Sequence, residues 1–254
     1  MPLVRINDDL HYFAHVPKCG GTSVEAYLIE RFGTLGLHDW TYNEVPEHLR
    51  WSRTSPQHIP VATLRTLFPE SWIASSFSVV RHPVTRLISA FLFARDVQGT
   101  INPTATLDDW CKSDLPQLCK DPFFQDGHFL PQSDFVPEGA RIFRLEDGLD
   151  AVIDHLDALA GNSDGPRQVP TKNLSAWRIS DTAHRPVPSD ATLARIVDAY
   201  ACDFDRFGYD RPATAAITAI LEPVVVLAPP MPVPRPRRST LERLRNSIHK
   251  RLSR

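Results

Sequence analysis

The apolar residues of this chain recur at two spacings, one typical of strands and one typical of helices. Short apolar runs with aromatic and β-branched residues predict strands, and apolar residues three or four positions apart predict amphipathic helices. The predicted strands cover roughly residues 10–16, 72–80 and 140–145. The predicted helices cover roughly residues 22–29, 61–68, 84–94, 149–159 and 191–207. This alternation indicates an α/β fold with a mostly parallel sheet that helices cover on both faces.

The composition is that of a globular protein with one sizeable core. The 254 residues are 42% hydrophobic and 23% charged, and a formal net charge of -2 provides no basic field for binding nucleic acid. The four cysteines show no Cys-x-x-Cys or Cys/His ligand spacing, so we expect reduced thiols and no metal. The chain starts with acidic residues where a signal peptide needs apolar ones, and no apolar run has the length of a membrane span. We therefore expect a cytoplasmic protein.

The C-terminal part of the chain has a different character. Prolines recur through residues 211–236 and predict an extended linker. Residues 237–254 combine basic side chains with apolar ones at helical spacing, the pattern of a basic amphipathic tail. Two interpretations stay open for this tail, which are peripheral contact with an anionic membrane surface and a solvated segment of no defined role.

A glycine-containing turn joins the first predicted strand to the first predicted helix. It reads Pro17-Lys18-Cys19-Gly20-Gly21-Thr22-Ser23. A turn before a helix directs several backbone N–H groups at one point, where the helix dipole adds partial positive charge. The two glycines let the backbone approach a ligand, while the hydroxyls and the lysine add donors and positive charge. These features predict an anion site.

The position of the lysine and a second motif narrow the choice of anion. A nucleotide-triphosphate P-loop places its lysine after the glycines, whereas Lys18 precedes them. At the end of the second predicted strand, residues 78–91 read S-V-V-R-H-P-V-T-R-L-I-S-A-F. Arg81 offers a planar fork of donors to a phosphate, and Ser89 lies about two helical turns further along the same side. This geometry is compatible with a second anion site, whose assignment to Arg81 and Ser89 is what a family resemblance implies.

Both motifs resemble those of the sulfotransferases that use 3′-phosphoadenosine-5′-phosphosulfate (PAPS). The string F-A-H-V-P-K-C-G-G-T-S is similar to their 5′-phosphosulfate loop, particularly in the carbohydrate and bacterial branch that includes the heparan sulfate 2-O-sulfotransferases. Shorter similar stretches follow in order at residues 57–60, 128–133, 143–147, 172–175 and 200–209. The resemblance implies a P-loop-like sulfotransferase fold over residues 1–210 and transfer of a sulfuryl group from PAPS.

The resemblance also assigns residues to the donor and a class to the acceptor. The donor-binding residues that it implies are Pro17, Lys18, Cys19, Gly20, Gly21, Thr22, Ser23, Arg81, Ser89, Lys172 and Asn173. Lys18 would also neutralise the leaving oxygen, and donor binding implies no metal. The acceptor would be a hydroxyl of a carbohydrate, a glycolipid or a small molecule, with Trp40, Trp51 and Trp110 available either to stack on sugar faces or to pack in the core.

An alcohol acceptor also needs a base, and histidine titrates in the useful range. The resemblance favours His58, which precedes the short helix where related carbohydrate sulfotransferases place a catalytic histidine. His128 and His15 are alternatives, while Glu146 is expected to be a structural partner of Arg144 or a helix-start carboxylate. Two other functions stay open, which are a P-loop kinase and a non-catalytic binding module on the same fold.

Overall fold

A mixed four-stranded sheet lies at the centre of the computed structural model, which describes residues 2–39, 41–119, 121, 123–170, 186–213 and 217. The strands are β1 (Leu3–Ile6), β2 (Asp9–Ala14), β3 (Ile73–Val80) and β4 (Arg141–Arg144). They are ordered β1-β2-β3-β4, and β1 runs antiparallel to β2 while β2, β3 and β4 are parallel. The predicted α/β fold with a mostly parallel sheet is confirmed.

Seven α-helices surround the sheet in the part of the chain that the structure describes. They are α1 (Gly21–Phe32), α2 (Val61–Leu67), α3 (Pro83–Leu92), α4 (Leu107–Ser113), α5 (Asp150–Ala160), α6 (Asp190–Ala199) and α7 (Ala201–Phe207). Pro83 begins α3, since a helix does not need the N–H group that proline lacks at this position. A five-residue π-helical turn, Phe93–Val97, continues α3.

Alternate residues of the strands point to opposite faces of the sheet, and each face packs against different helices. Phe13 and Phe77 stack with ring centroids 5.0 Å apart on the face that α1 and α5 cover. Tyr12 and Val80 lie on the opposite face, in a cluster with apolar residues of α2. Because both faces are covered, consecutive residues are buried at the carboxyl ends of two parallel strands, residues 11–14 in β2 and 77–80 in β3.

One prediction of local structure is wrong, and two elements, β1 and α4, were not predicted. Residues 191–207 form two helices and not one, because Tyr200 leaves the helical conformation (φ −114°, ψ 23°) and donates its buried hydroxyl to the carbonyl of Phe129 at 2.6 Å. Strand β1 was not predicted, since its four residues are too few to show a clear alternation. It adds an antiparallel edge strand to the sheet.

The carboxyl ends of β2 and β3 bring the two predicted anion sites together. The strands pair in parallel, with Ala14 opposite Ser78, so the segments that follow them emerge side by side. Helix α1 begins just after β2 and α3 just after β3, and both N-termini therefore lie at this edge. Ligands of open α/β sheets bind at this type of edge.

Several predicted features lie outside the described residues. These are Trp40, Lys172, Asn173, the basic segment 237–254 and residues 214–216 and 218–236 of the proline-rich segment. Among the helices that are described, none has the length and apolar character needed to cross a membrane.

Candidate active site

The predicted donor loop is a tight turn with two residues in the left-handed region. Lys18 has φ +68° and Gly20 has φ +81°, and Gly20 is the N-cap of α1. Gly20 has no side chain that could cap this helix, and a helix N-terminus of this kind favours an anionic ligand. A non-glycine residue in the left-handed region is strained, and such strain is concentrated at functional sites.

Gly21 is required for packing beneath the donor loop. A Cβ at this position would lie 2.1 Å from Nε2 of His15, so the absent side chain makes room for this ring. Nδ1 of His15 in turn lies 2.6 Å from Oε1 of Glu25. This packing role adds to the predicted role of Gly21 in the approach of a ligand, which stays a prediction.

Arg81 reaches from the end of β3 to the donor loop. Its Nη1 donates to the carbonyl oxygen of Lys18 at 3.4 Å, and its Nε donates to Oγ1 of Thr85 at 3.0 Å. The guanidinium is only partly buried, and Ser89 is the one residue of α3 that is not buried. The two residues predicted to bind one phosphate are thus partly accessible, although the rest of α3 is enclosed.

Gln132, a residue whose role was not predicted, fixes the backbone of Arg81. Its Oε1 accepts the N–H of Arg81 at 2.9 Å, and its Nε2 donates to the carbonyl of Arg81 at 2.8 Å. The same Oε1 accepts the thiol of Cys19 at 3.3 Å. One buried amide therefore connects the donor loop with the second anion motif, and the sequence signalled only that 128–133 resembled the family.

His58 and Asp126 form a hydrogen-bonded pair beside the donor loop. Nδ1 of His58 lies 2.7 Å from Oδ2 of Asp126, which also accepts the hydroxyl of Ser55 at 2.8 Å. Burial by itself raises the pKa of Asp126, but the charge and hydrogen bond of His58 outweigh it and hold that pKa well below its usual range. Because the carboxylate is ionised, His58 donates Nδ1–H and keeps Nε2 as the basic nitrogen.

The other two candidate bases both lie next to His58. The ring centroids of His15 and of His128 are each 5.0 Å from that of His58. His128 also contacts Phe93, over whose ring Nζ of Lys18 lies at 3.7 Å from the centroid. Burial, reinforced by the nearby charge of His58, lowers the pKa of His128 well below its usual value, so this imidazole is neutral at neutral pH. All three histidines and the lysine therefore belong to one site.

The comparison with known families supports the interpretation of this site. A family model described as "Sulfotransferase family" matches residues 4–210. The chain belongs to the sulfotransferase family. No curated protein and no solved structure gives a significant match. Family membership indicates a transferase of sulfuryl groups, whereas the resemblance to the heparan sulfate branch stays a prediction.

The structure decides between alternatives that the sequence left open for Glu146 and Trp110, and it describes the side chain of Cys19. Glu146 accepts the N–H of His82, the N-cap of α3, and the hydroxyl of Tyr209, so it is a helix-start carboxylate. It is not the partner of Arg144, which binds the carbonyls of Phe207 and Gly208. Trp110 is 3% exposed within the core and cannot stack on a sugar. Cys19 is buried, which raises the pKa of its thiol to about 12, so it contributes to the donor loop through its backbone.

No sequence pattern predicted the partner of His58. Asp126 lies 68 residues away and has a left-handed backbone, with φ +57°, next to Gly127. An Asp-Gly dipeptide indicates only a turn. His58, Asp126 and His128 also present potential metal ligands within 4.8 Å of one another. The 2.7 Å contact is shorter than the separation of about 3.3 Å between two ligands of a tetrahedral zinc ion, and it has the length of a hydrogen bond.

Proposed function

We propose that this sulfotransferase transfers the sulfuryl group of PAPS to an acceptor hydroxyl, with His58 as the general base. The observation that carries the proposal is that the His58–Asp126 pair and Lys18 lie in one site with the N-terminus of α1. Sulfuryl transfer needs positioning and charge stabilisation more than covalent participation by the protein. These residues provide a base on one side and positive charge on the other.

The donor fits the two motifs as an anion held at both ends. The N-terminus of α1 and Lys18 would receive the 5′-phosphosulfate, while Arg81 and Ser89 would receive the 3′-phosphate. Arg81 suits the second role because its partly buried guanidinium lies at the end of β3, where it also reaches Lys18 O of the donor loop and Thr85 Oγ1 of α3. A phosphate with two negative charges is the ligand that such a guanidinium favours.

The transfer step uses groups that are already oriented. Nε2 of His58 takes the proton of the acceptor hydroxyl while the acceptor oxygen bonds to sulfur and the bond from sulfur to the bridging phosphate oxygen breaks. Lys18 stabilises the charge that develops on that oxygen. Asp126 keeps His58 in the required tautomer and stabilises the imidazolium, as the carboxylate does in other histidine–carboxylate pairs of enzymes. The neutral His128 leaves the protonated His58 without an adjacent imidazolium.

Calorimetry with two nucleotides tests the donor. 3′-Phosphoadenosine-5′-phosphate (PAP) and AMP differ only in the 3′-phosphate. We expect wild type to prefer PAP, and Arg81→Ala to weaken PAP binding roughly tenfold or more while AMP binding stays within about twofold. Lys18→Ala should weaken both nucleotides. Arg95→Ala is the control, since Arg95 forms its ion pair with Asp96 beyond the end of α3.

Two results would contradict the donor assignment. One is equal affinity for PAP and AMP in the wild type, and the other is tighter binding of ATP with magnesium, which would favour the kinase alternative. Normal PAP binding with no transfer of labelled sulfate from PAPS to any acceptor would favour the non-catalytic binding module.

A pocket lined by the chain segment that precedes His58 supports a sugar as the acceptor. It has a volume of about 330 Å³ and is lined by Trp51, Arg53 and Phe123 among others. Trp51 is 57% exposed, and the guanidinium of Arg53 lies 4.2 Å from the centroid of the Phe123 ring. Ser55 follows Arg53 by two residues and binds Asp126, so the same segment contributes both to the pocket and to the surroundings of the His58–Asp126 pair.

The charges in this pocket favour an uncharged sugar. Arg50 and Arg53 are accompanied there by Glu47 and Asp121, and Arg53 lies 3.3 Å from the Asp121 carboxylate. Balanced donors and acceptors around an exposed aromatic ring suit hydroxyl groups and an apolar sugar face better than a polyanion.

Transfer of labelled sulfate to neutral and acidic glycans tests the acceptor. We expect neutral glycans to be preferred, and Trp51→Ala to raise KM for the best of them about tenfold with PAP affinity unchanged. Trp72→Ala is a matched control, because this tryptophan is equally exposed, at 59%, but precedes β3 at the other edge of the sheet. Preference for acidic glycans, or an unchanged KM in Trp51→Ala, would contradict the assignment.

A further inference from the structure

We propose that His15 and Glu25 form a buried pair that holds the donor loop and the base His58 in one geometry, so that both are positioning residues. The proposal rests on the function proposed above for the donor loop and for His58. It assigns to His15 a role different from that of an alternative base.

The His15–Glu25 pair closes the donor loop at its base. His15 follows the end of β2 and Glu25 lies in the second turn of α1, so the loop occupies the interval between them. Their side chains join at 2.6 Å, and the residues are only 6% and 1% exposed. The pair therefore links the strand directly to the helix, across the turn that would hold the phosphosulfate.

The same imidazole touches the start of α1 and the base. A Cβ atom at Gly21 would lie 2.1 Å from Nε2 and Cδ2 of His15 and 2.7 Å from its Cε1, so the ring packs directly against the first residue of the helix. The ring meets His58 nearly edge-on, with an interplanar angle of 87°. A displacement of His15 would consequently move the donor loop relative to the base.

Electrostatics keep the pair in one protonation state at neutral pH. Burial lowers the pKa of His15, although Glu25 opposes the effect. Burial raises the pKa of Glu25, but His15 and His38 outweigh it and hold the pKa well below its usual range. A neutral imidazole thus donates Nδ1–H to a carboxylate, which fixes the orientation of the ring.

Two substitutions test the pair, and a third provides a control. Glu25→Gln removes the charge but keeps the shape, while His15→Asn keeps a donor near the position of Nδ1 but removes the rest of the ring. His11→Asn is the matched control, since His11 is also buried in β2 and also binds a polar side chain, Ser75, at 2.8 Å. All three should lose stability in thermal unfolding.

The first readout is PAP affinity, measured by calorimetry on folded protein. We expect Glu25→Gln and His15→Asn to weaken PAP binding about tenfold, because a charge-assisted hydrogen bond is lost, and His11→Asn to leave it unchanged. Should Glu25→Gln or His15→Asn fail to fold, Gly21→Ala tests the same packing, because its methyl group would displace the His15 ring.

The second readout is the NMR spectrum of the histidine rings without nucleotide. Glu25→Gln should shift the ring resonances of His58, whose contact with the pair is through His15, and His11→Asn should not. Wild-type PAP affinity in the variants together with unmoved His58 resonances would overturn the proposal. If wild type itself does not bind PAP, the proposed donor is wrong, and the His58 resonances alone then decide whether the pair positions this ring.

Discussion

At the residue scale, the orientation of one imidazole depends on an aspartate in a strained backbone conformation. Gln125 and Asp126 both have left-handed φ values, 53° and 57°. This turn places the Asp126 carboxylate where it accepts Nδ1–H of His58 and both the N–H and the hydroxyl of Ser55. The three hydrogen bonds compensate for the strained backbone, and they leave the ring of His58 one allowed orientation.

Removing the charge of Asp126 should separate catalysis from donor binding. In Asp126→Asn the amide can donate to His58 and favour the wrong tautomer, so we expect kcat to fall roughly 10²-fold to 10⁴-fold. PAP affinity should change less than about threefold, since Asp126 contacts Ser55 and His58 and not the donor loop. Sulfate-transfer kinetics together with calorimetry check both numbers.

The control for this prediction is Asp114→Asn. Asp114 accepts the hydroxyl of the neighbouring Ser113 at the end of α4, so both parameters should stay near the wild-type values. Transfer by Asp126→Asn at more than a third of the wild-type rate would show that Asp126 does not orient the base.

At the scale of elements, a side chain from outside the sheet links the two strand ends of the site. Gln132 binds both backbone groups of Arg81 at the end of β3 and the thiol of Cys19 after β2. Its own N–H donates to Asp203 of α7 at 2.8 Å. The spacing of the two anion motifs therefore depends on Gln132, which lies 51 residues further along the chain than Arg81.

The sequence predicted the elements of this arrangement but not their connections. Each strand and helix next to the site was foreseen within a few residues, because its periodicity is local. Gln132 and Asp126 lie far in sequence from Arg81 and His58, and no local pattern encodes such pairings. The break at Tyr200 was missed for the same reason, since the acceptor of its hydroxyl is the carbonyl of Phe129.

Truncating Gln132 should destabilise the fold. The side chain of Gln132 is fully buried, so in Gln132→Ala no water replaces its hydrogen bonds to the N–H and C=O of Arg81. Leaving these two groups unpaired should lower the free energy of unfolding by about 2–4 kcal/mol. Urea denaturation measures the loss. Gln98→Ala, on an exposed turn, should remain within about 0.5 kcal/mol of wild type. Equal stability of the two variants would show that the amide does not support the strand ends.

At the scale of the whole molecule, folding places several histidines in surroundings that favour the neutral imidazole. Burial lowers the pKa of five histidines among the described residues: His11, His15, His82, His128 and His155. Composition gives their number but not their burial, so this property could not be predicted before the fold was known. It has a direct effect on how stability depends on pH.

The free energy of unfolding should fall as the pH decreases from 7.5 to 5.0. The unfolded chain takes up protons on these histidines near pH 6.5, whereas the folded protein takes them up at lower pH, so protons favour unfolding in this interval. The buried carboxylates Glu25 and Asp126 act at lower pH, since their lowered pKa values contribute stability that is lost only below about pH 4. We expect a loss of at least about 2 kcal/mol, measured by urea denaturation at the two pH values.

One substitution distinguishes this effect from a general weakening of the fold in acid. His82 packs against the rings of Phe204 and Tyr209, with centroids 5.5 Å and 5.4 Å away, so phenylalanine fits the same contacts without a titratable group. His82→Phe should therefore lose less stability than wild type between pH 7.5 and 5.0. Constant stability between the two pH values would mean that folding does not lower the pKa of these histidines, which would contradict the prediction. Stability that rises toward pH 5.0 would mean that folding raises their pKa, and it would remove the neutral His128 from the proposed mechanism.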